Sequence, residues 1–262
     1  MKRKIVVKMG GSTLDADDIL AQFAEAVAVI PEDSYTAVVH GGGKDIGRQL
    51  EKMGREFKFI EGLRVTDDEV IDVVEMVLSG LVNKWITRSL EKIGVKAVGI
   101  SGTDLGLFKA TKMVVESGDL GYVGAIENVN LELIELLVSN GITPVVSPIS
   151  LGPENRAYNV NADHAACRLA EEWGADDLIY ITDVSGIKVG GEVRELITTD
   201  EVENLIDSGA ITGGMIPKLL NSASAVLQGV KRVHIVGWRG PDTIVNSLKK
   251  EKGYGTVIER LR

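Results

Sequence analysis

Residues 4–12 read Lys4-Ile5-Val6-Val7-Lys8-Met9-Gly10-Gly11-Ser12, and residues 36–44 read Thr36-Ala37-Val38-Val39-His40-Gly41-Gly42-Gly43-Lys44. Each is a short apolar run closed by a glycine cluster, the pattern of a buried strand that ends in a tight turn. Helical spacing follows both. Ile19, Phe23, Val27 and Ile30 come after the first, with Asp15 as the expected N-cap, and Ile46, Leu50 and Met53 after the second. Strand, glycine turn and helix in alternation imply an α/β fold with a mainly parallel sheet covered on both faces.

Further out, Thr66 and Glu69 read as a capping box ahead of the apolar series Val70, Val73, Val74, Val77 and Leu78. Strands are expected at 97–100, 144–147, 178–181, 232–236 and 256–258. The glycine-richer segment from Lys109 to Val129 reads as a hairpin excursion. A lobe boundary is placed near Gly174-Ala175, dividing the chain into 1–174 and 175–262.

The 262 residues carry a formal net charge of −9, with 44% hydrophobic and 26% charged residues. That is the profile of a soluble globular protein, and it argues against nucleic-acid binding, which needs clustered positive charge. Cys167 is the single cysteine, so no intrachain disulfide forms. With no signal peptide and no long apolar stretch, a reducing cytoplasmic setting is expected.

Glycine at a strand end lets the backbone approach a ligand and point N–H groups at an anion, and a helix N-terminus adds to the attraction. Two such clusters in consecutive βα units favour a phosphate or carboxylate site over two unliganded turns. The P-loop lysine motif and the protein-kinase signatures are absent, and Gly41 to Gly47 is one residue too long for a dinucleotide fingerprint. Lys8 closes the first strand and reads as functional or as snorkelling out of it. Lys218, after Gly213-Gly214-Met215-Ile216-Pro217, reads as a site cation or an exposed helix lysine. Asp163 reads as a site acid or a plain helix N-cap. His40, His164 and His234 lack metal-ligand spacing, and no general-base role is expected of them.

Six motifs occur in order: Lys8-Met9-Gly10-Gly11, His40-Gly41-Gly42-Gly43, Gly62-Leu63-Arg64-Val65-Thr66, Asn159-Val160-Asn161-Ala162-Asp163, Thr182-Asp183-Val184-Ser185-Gly186 and Gly213-Gly214-Met215-Ile216-Pro217-Lys218. Over nearly the whole chain they resemble the amino acid kinase family. The resemblance implies a three-layer α/β/α sandwich in two lobes, with 1–174 for an acyl amino acid and dimerisation and 175–262 for ATP. The 62–66 and 159–163 segments are most similar to members that phosphorylate the side-chain carboxylate of N-acetyl-L-glutamate. Carried over residue by residue, Lys8 and Lys218 would flank the transferring phosphoryl group as catalytic cations, with Asp163 holding both. Arg64 would take the substrate α-carboxylate, joined by Asn159 and Asn161, while Gly42 and Gly43 would meet the substrate through backbone N–H groups. Lys8, Gly10, Gly11, Asp183, Gly214 and Lys218 would contact ATP. Mg2+ would be held by ATP oxygens and water rather than by a protein ligand cluster.

Lys44 stands where relatives often have proline, a departure expected to affect loop rigidity more than chemistry. The sequence begins at the first strand without the helical extension that resembles the hexamer-forming element of arginine-inhibited relatives. A homodimer with little arginine feedback is therefore expected. Two rivals are a kinase of the same fold acting on carrier-protein-bound glutamate or 2-aminoadipate, and a non-catalytic nucleotide or amino-acid sensor. The intact Gly62 to Thr66 segment speaks against the first, and the presence of Lys8, Lys218 and Asp163 against the second.

Overall fold

A computed structural model describes residues 2–10, 17–213 and 215–261. In chain order the elements are β1 (Arg3–Met9), α1 (Asp17–Ala28), β2 (Ser34–His40), α2 (Gly43–Lys52), β3 (Phe59–Ile60), β4 (Leu63–Arg64), α3 (Asp68–Glu75), a π-helical turn (Met76–Val82) and α4 (Asn83–Lys92). Then come β5 (Ala97–Ser101), β6 (Phe108–Lys112), β7 (Gly124–Val129), α5 (Glu132–Ser139), β8 (Thr143–Ser147), β9 (Ile149–Leu151), β10 (Ala157–Asn159) and α6 (Ala162–Trp173). The chain ends with β11 (Asp177–Thr182), β12 (Lys188–Val189), β13 (Glu192–Val193), β14 (Leu196–Thr198), α7 (Val202–Asp207), α8 (Met215–Leu227), β15 (Arg232–Gly237), α9 (Thr243–Leu248) and β16 (Thr256–Glu259). This is a mixed α/β protein with a large, mostly parallel central sheet, as the alternating pattern implies. The N-cap expected at Asp15 lies outside the described residues.

The chain divides into two compact units, one formed by Met1–Thr36 with Ala166–Arg262 and the other by Ala37–Ala165. The first 36 residues thus belong with the C-terminal part, unlike the continuous division at 174. The reason is strand pairing: β1 runs parallel to β11, with Ile5 opposite Asp177 and Met9 opposite Ile181. Sequence distance does not predict that partnership.

In the first unit the strand order is β14-β16-β15-β11-β1, parallel except where β16 runs antiparallel to β15. All six residues of β11 are buried, as expected for a parallel strand covered on both faces. Helix α1 buries Leu20, Phe23, Ala24 and Val27, a single stripe at helical spacing. Phe23 stacks at a tilt on Trp238, 6.3 Å between ring centroids.

The second unit holds the parallel order β2-β8-β5 and a four-stranded sheet, β10-β9-β6-β7. The excursion expected between 109 and 129 is the antiparallel β6–β7 pair. Strands β9 and β10 extend it, and their short apolar runs gave no separate signal. The expected capping box is not what starts α3. Asp67 is the N-cap, accepting from the Val70 N–H at 3.0 Å, while the Thr66 hydroxyl donates backwards to the Arg64 carbonyl at 2.7 Å. Thr66 is fully buried and has that nearer acceptor, so the start of the helix shifts one residue on.

Candidate active site

The second unit builds the glycine loop and its surroundings. Strand β2 delivers His40, and α2 starts at Gly43, so the amides of its first turn have no intrahelical acceptor and face outward. Gly42 is a packing necessity, because a Cβ there would stand 2.7 Å from Leu78 Cδ2 and 3.2 Å from Val82 Cγ2. Both contacts come from the π-helical turn, a wider coil often found at functional positions.

Arg64 approaches the same loop on the β3–β4 hairpin. The two-residue connection Glu61-Gly62 has φ of 51° and 78°, a left-handed pair that turns the strand back on itself. Arg64 is buried, donates from Nη2 to the Gly43 carbonyl at 2.8 Å, and lies over Phe57 and Phe59 at 4.2 and 4.8 Å from their ring centroids. Its Nη1 is buried with no hydrogen-bond partner among the described residues. An orphaned guanidinium N–H costs about 1–3 kcal/mol, and an arriving carboxylate would satisfy it. Burial lowers the Arg64 pKa from its ordinary value.

Nearby, Asn159 donates to Thr66 Oγ1 at 3.2 Å, which ties β10 to the chain two residues past Arg64. Asn161 is the cap of α6: its Oδ1 accepts from the backbone N–H groups of Asp163 at 2.8 Å and His164 at 3.3 Å. The plain N-cap reading of Asp163 is therefore overturned, because Asn161 does that work and Asp163 sits inside the first turn. His164 Nε2 accepts from the Ile126 N–H at 3.2 Å.

The first unit gathers the lysines. Lys8 is half-buried near the C-terminal end of β1, opposite Tyr180 in the parallel register. Lys218, half-buried in the first turns of α8, has its Nζ 5.9 Å from the Tyr180 ring centroid. Tyr180 is thus the cross-strand neighbour of one lysine and lies close to the other, though the sequence separates the two by about 210 positions. Gly10 is buried directly after β1. Asp183 follows β11 and, with Ile19, Thr182, Ser185, Gly237, Trp238 and Arg239, lines a cavity of about 290 Å³ at the C-terminal ends of β11 and β15. Ligands of open α/β sheets bind at those ends. Gly11 and Gly214 lie outside the described residues.

At the opposite, N-terminal end of β11, Asp177 accepts from His234 Nε2 at 2.9 Å and pairs with Arg3 and Arg232, while His234 Nδ1 is 2.9 Å from Ser247 Oγ. The order Ser-His-Asp invites a catalytic reading, but Asp177 and His234 are fully buried and Ser247 is 1% exposed. Burial alone pushes Asp177 up, and the hydrogen bonds of His234 and Arg3 outweigh it, holding the carboxyl below its usual range. Burial lowers His234 despite Asp177. The group is structural. Burial also pushes the Cys167 thiol up, to about 12, which leaves it unreactive.

Residues 3–237 match the amino acid kinase family. This chain belongs to the amino acid kinase family. Among relatives, the acetylglutamate kinase of Pelotomaculum thermopropionicum is 40% identical, covering 98% of this chain and 92% of that protein. The acetylglutamate kinase of Caldanaerobacter subterraneus is 43% identical, covering 98% and 87%. Among solved structures, the smu.665 protein of Streptococcus mutans is 31% identical, covers 99% of both chains and superposes with a TM-score of 0.78.

Residues around His40 were missed from the sequence. Asn83 is fully buried on α4 and bonds the ring of His40, 43 positions away. One asparagine beside one lysine in a helical run gives no sign of this. The π-helical turn shifts the helical phase and carries Asn83 to the inward face.

Proposed function

We propose that this amino acid kinase uses ATP to phosphorylate the side-chain carboxylate of N-acetyl-L-glutamate, in arginine biosynthesis, as a cytoplasmic homodimer. The observation that carries the reading is its 40–43% identity to acetylglutamate kinases across 98% of the chain. The orphaned Nη1 of Arg64 supports an acceptor with a carboxylate to spare.

In the proposed reaction the ionised side-chain carboxylate attacks the γ-phosphorus as the bond to the β–γ bridging oxygen breaks, giving an acyl phosphate and ADP. The nucleophile is a carboxylate, already charged near neutral pH, so no general base is needed. The difficulty is bringing two anions together, which positioning and positive charge overcome. Lys8 and Lys218 are assigned that charge, and Asp163 is assigned the role of holding them. Gly42 and Gly43 would offer amides to the reacting oxygens, and Gly10, Gly11, Asp183 and Gly214 would border the nucleotide. Arg64 would bind the α-carboxylate, with Asn159 and Asn161 beside it. Mg2+ would neutralise phosphate charge. The ion would arrive on ATP, held by its oxygens and by water.

The test is ADP release with ATP and Mg2+, comparing N-acetylglutamate, glutamate, aspartate and 2-aminoadipate, with hydroxylamine trapping the acyl phosphate. Turnover and hydroxamate with N-acetylglutamate alone are expected. Silence with every free acid would transfer the assignment to a carrier-bound acceptor.

A further inference from the structure

The aim of the glycine loop is set by three side chains to which nothing above gives a role, an inference that rests on the proposed function and deepens it. Lys84 is a donor only, and its Nζ lies 3.0 Å from Asn83 Oδ1 and 2.7 Å from the Gly99 carbonyl. That contact turns the Asn83 oxygen toward Lys84 and its NH2 the other way. The NH2 then meets the Val145 carbonyl at 2.8 Å, the Ile100 carbonyl at 3.2 Å and His40 Nε2 at 3.1 Å. The two hydrogens of this NH2 are shared among the three acceptors, and because it only donates, an Nε2–H could not face it, which leaves Nε2 as the bare ring nitrogen. The proton of the neutral ring therefore sits on Nδ1, which donates to the Gly41 carbonyl at 2.9 Å.

Two features show that the arrangement is built. A Cβ at Gly99 would fall 1.9 Å from Asn83 Oδ1 and 2.6 Å from Lys84 Nζ, so the backbone there leaves room for the relay. His40 and Asn83 are both fully buried, and burial, with Lys84 nearby, pushes the imidazole down to about 4. The ring is neutral throughout the working range.

We propose that His40, locked as its Nδ1–H tautomer by Asn83 and Lys84, is the positioning residue that aims the Gly42 amide at the reacting oxygens. In a trans peptide the carbonyl and the following N–H point in opposite directions, and the described chain has no cis bond. Pinning the Gly41 carbonyl therefore fixes the direction of the Gly42 N–H. The neighbouring peptides are held too, since the Gly42 carbonyl accepts from the Ile46 N–H at 3.0 Å and the Gly43 carbonyl from Arg64.

The first arm of the test needs no substrate. Two-bond proton–nitrogen spectra of the 15N-histidine-labelled protein, assigned by loss of the His40 signals in His40→Asn, report the tautomer between pH 6 and 8. A protonated Nδ1 with a bare Nε2 is expected, and the opposite tautomer or an imidazolium overturns the proposal. The second arm compares His40→Leu with His40→Asn, whose side-chain NH2 can stand near the lost Nδ1–H, on whichever acceptor the wild type turns over. Leucine should lower kcat about 10- to 100-fold through loop misplacement with KM for ATP little changed, and asparagine should restore most of it. Equal losses in both variants, or no loss with leucine, overturn the positioning role. A wrong acceptor shows up in the wild-type assay, whereas a wrong positioning role shows up in the spectrum and in this pair.

Discussion

At the residue scale, the roles proposed for Arg64 and the two lysines separate substrate binding from chemistry. Arg64 is a planar fork stacked on two phenyl rings with one N–H left over, and lysine reproduces its charge but neither the stacking nor the fork. Arg64→Lys should raise KM for N-acetylglutamate roughly 10- to 100-fold, the weight of one charge-assisted hydrogen bond, with a smaller change in kcat. Steady-state kinetics with the acceptor varied would check this, and an unchanged KM would remove Arg64 from the acceptor site. Lys8→Ala and Lys218→Ala should each lower kcat by roughly 100- to 1,000-fold, the usual cost of one preorganised electrostatic group. Both side chains are only half-buried, so the thermal midpoint should hold within a few degrees. A variant that lost its fold but kept its turnover per folded molecule would contradict the assignment.

At the element scale, the π-helical turn is what leaves room only for glycine at position 42. It sets Leu78 and Val82 against Gly42 and turns Asn83 inward toward His40. Gly42→Ala forces a methyl into 2.7 Å from Leu78 Cδ2, an overpacking that should cost about 1–3 kcal/mol of stability. Urea unfolding would measure it. Adding Leu78→Ala should return part of the loss, because the clash is with that one side chain. If the double variant were less stable than the sum of the two single losses, the clash would not be the cause.

At the scale of the whole molecule, stability carries the imprint of the buried histidines. The sign follows from proton uptake: a group whose folded pKa is lowered binds more protons when unfolded, so stability falls as pH drops below the unfolded value. For His40, lowered from 6.5 to about 4, the loss begins near pH 6.5 and is complete near 4. At about 1.4 kcal/mol per unit it comes to roughly 3–4 kcal/mol. His234, also lowered, adds to it in the same direction. Asp177, whose depressed carboxyl stabilises the fold above its unfolded value of 3.8, joins only as pH falls further. Urea midpoints measured from pH 7 to 4 should decline steadily, and His40→Asn should flatten that slope. A wild-type midpoint constant across the window would show that His40 is not held neutral.

Local pattern determined much of this protein. The apolar runs of β1 and β2, their glycine closures and the helical stripes behind them are legible because strand and helix periodicity are properties of neighbouring residues. Among the motif residues, Lys8, Asp163 and Lys218 stand out by type and position and Arg64 and Asn159 only through the resemblance of their segments, and the match over 3–237 bears out the family itself. What the sequence did not hold was any fact about partners far apart in the chain. Thr66 looked like a cap until its burial gave it the Arg64 carbonyl. Asp163 looked like a cap where Asn161 serves. The first 36 residues joined the C-terminal unit because β1 found β11. His40 had no legible role, since its chemistry is decided by Asn83 and Lys84 across a phase shift in a helix. Hydrogen bonds and burial act through space, so packing alone decided which nitrogen carries the proton.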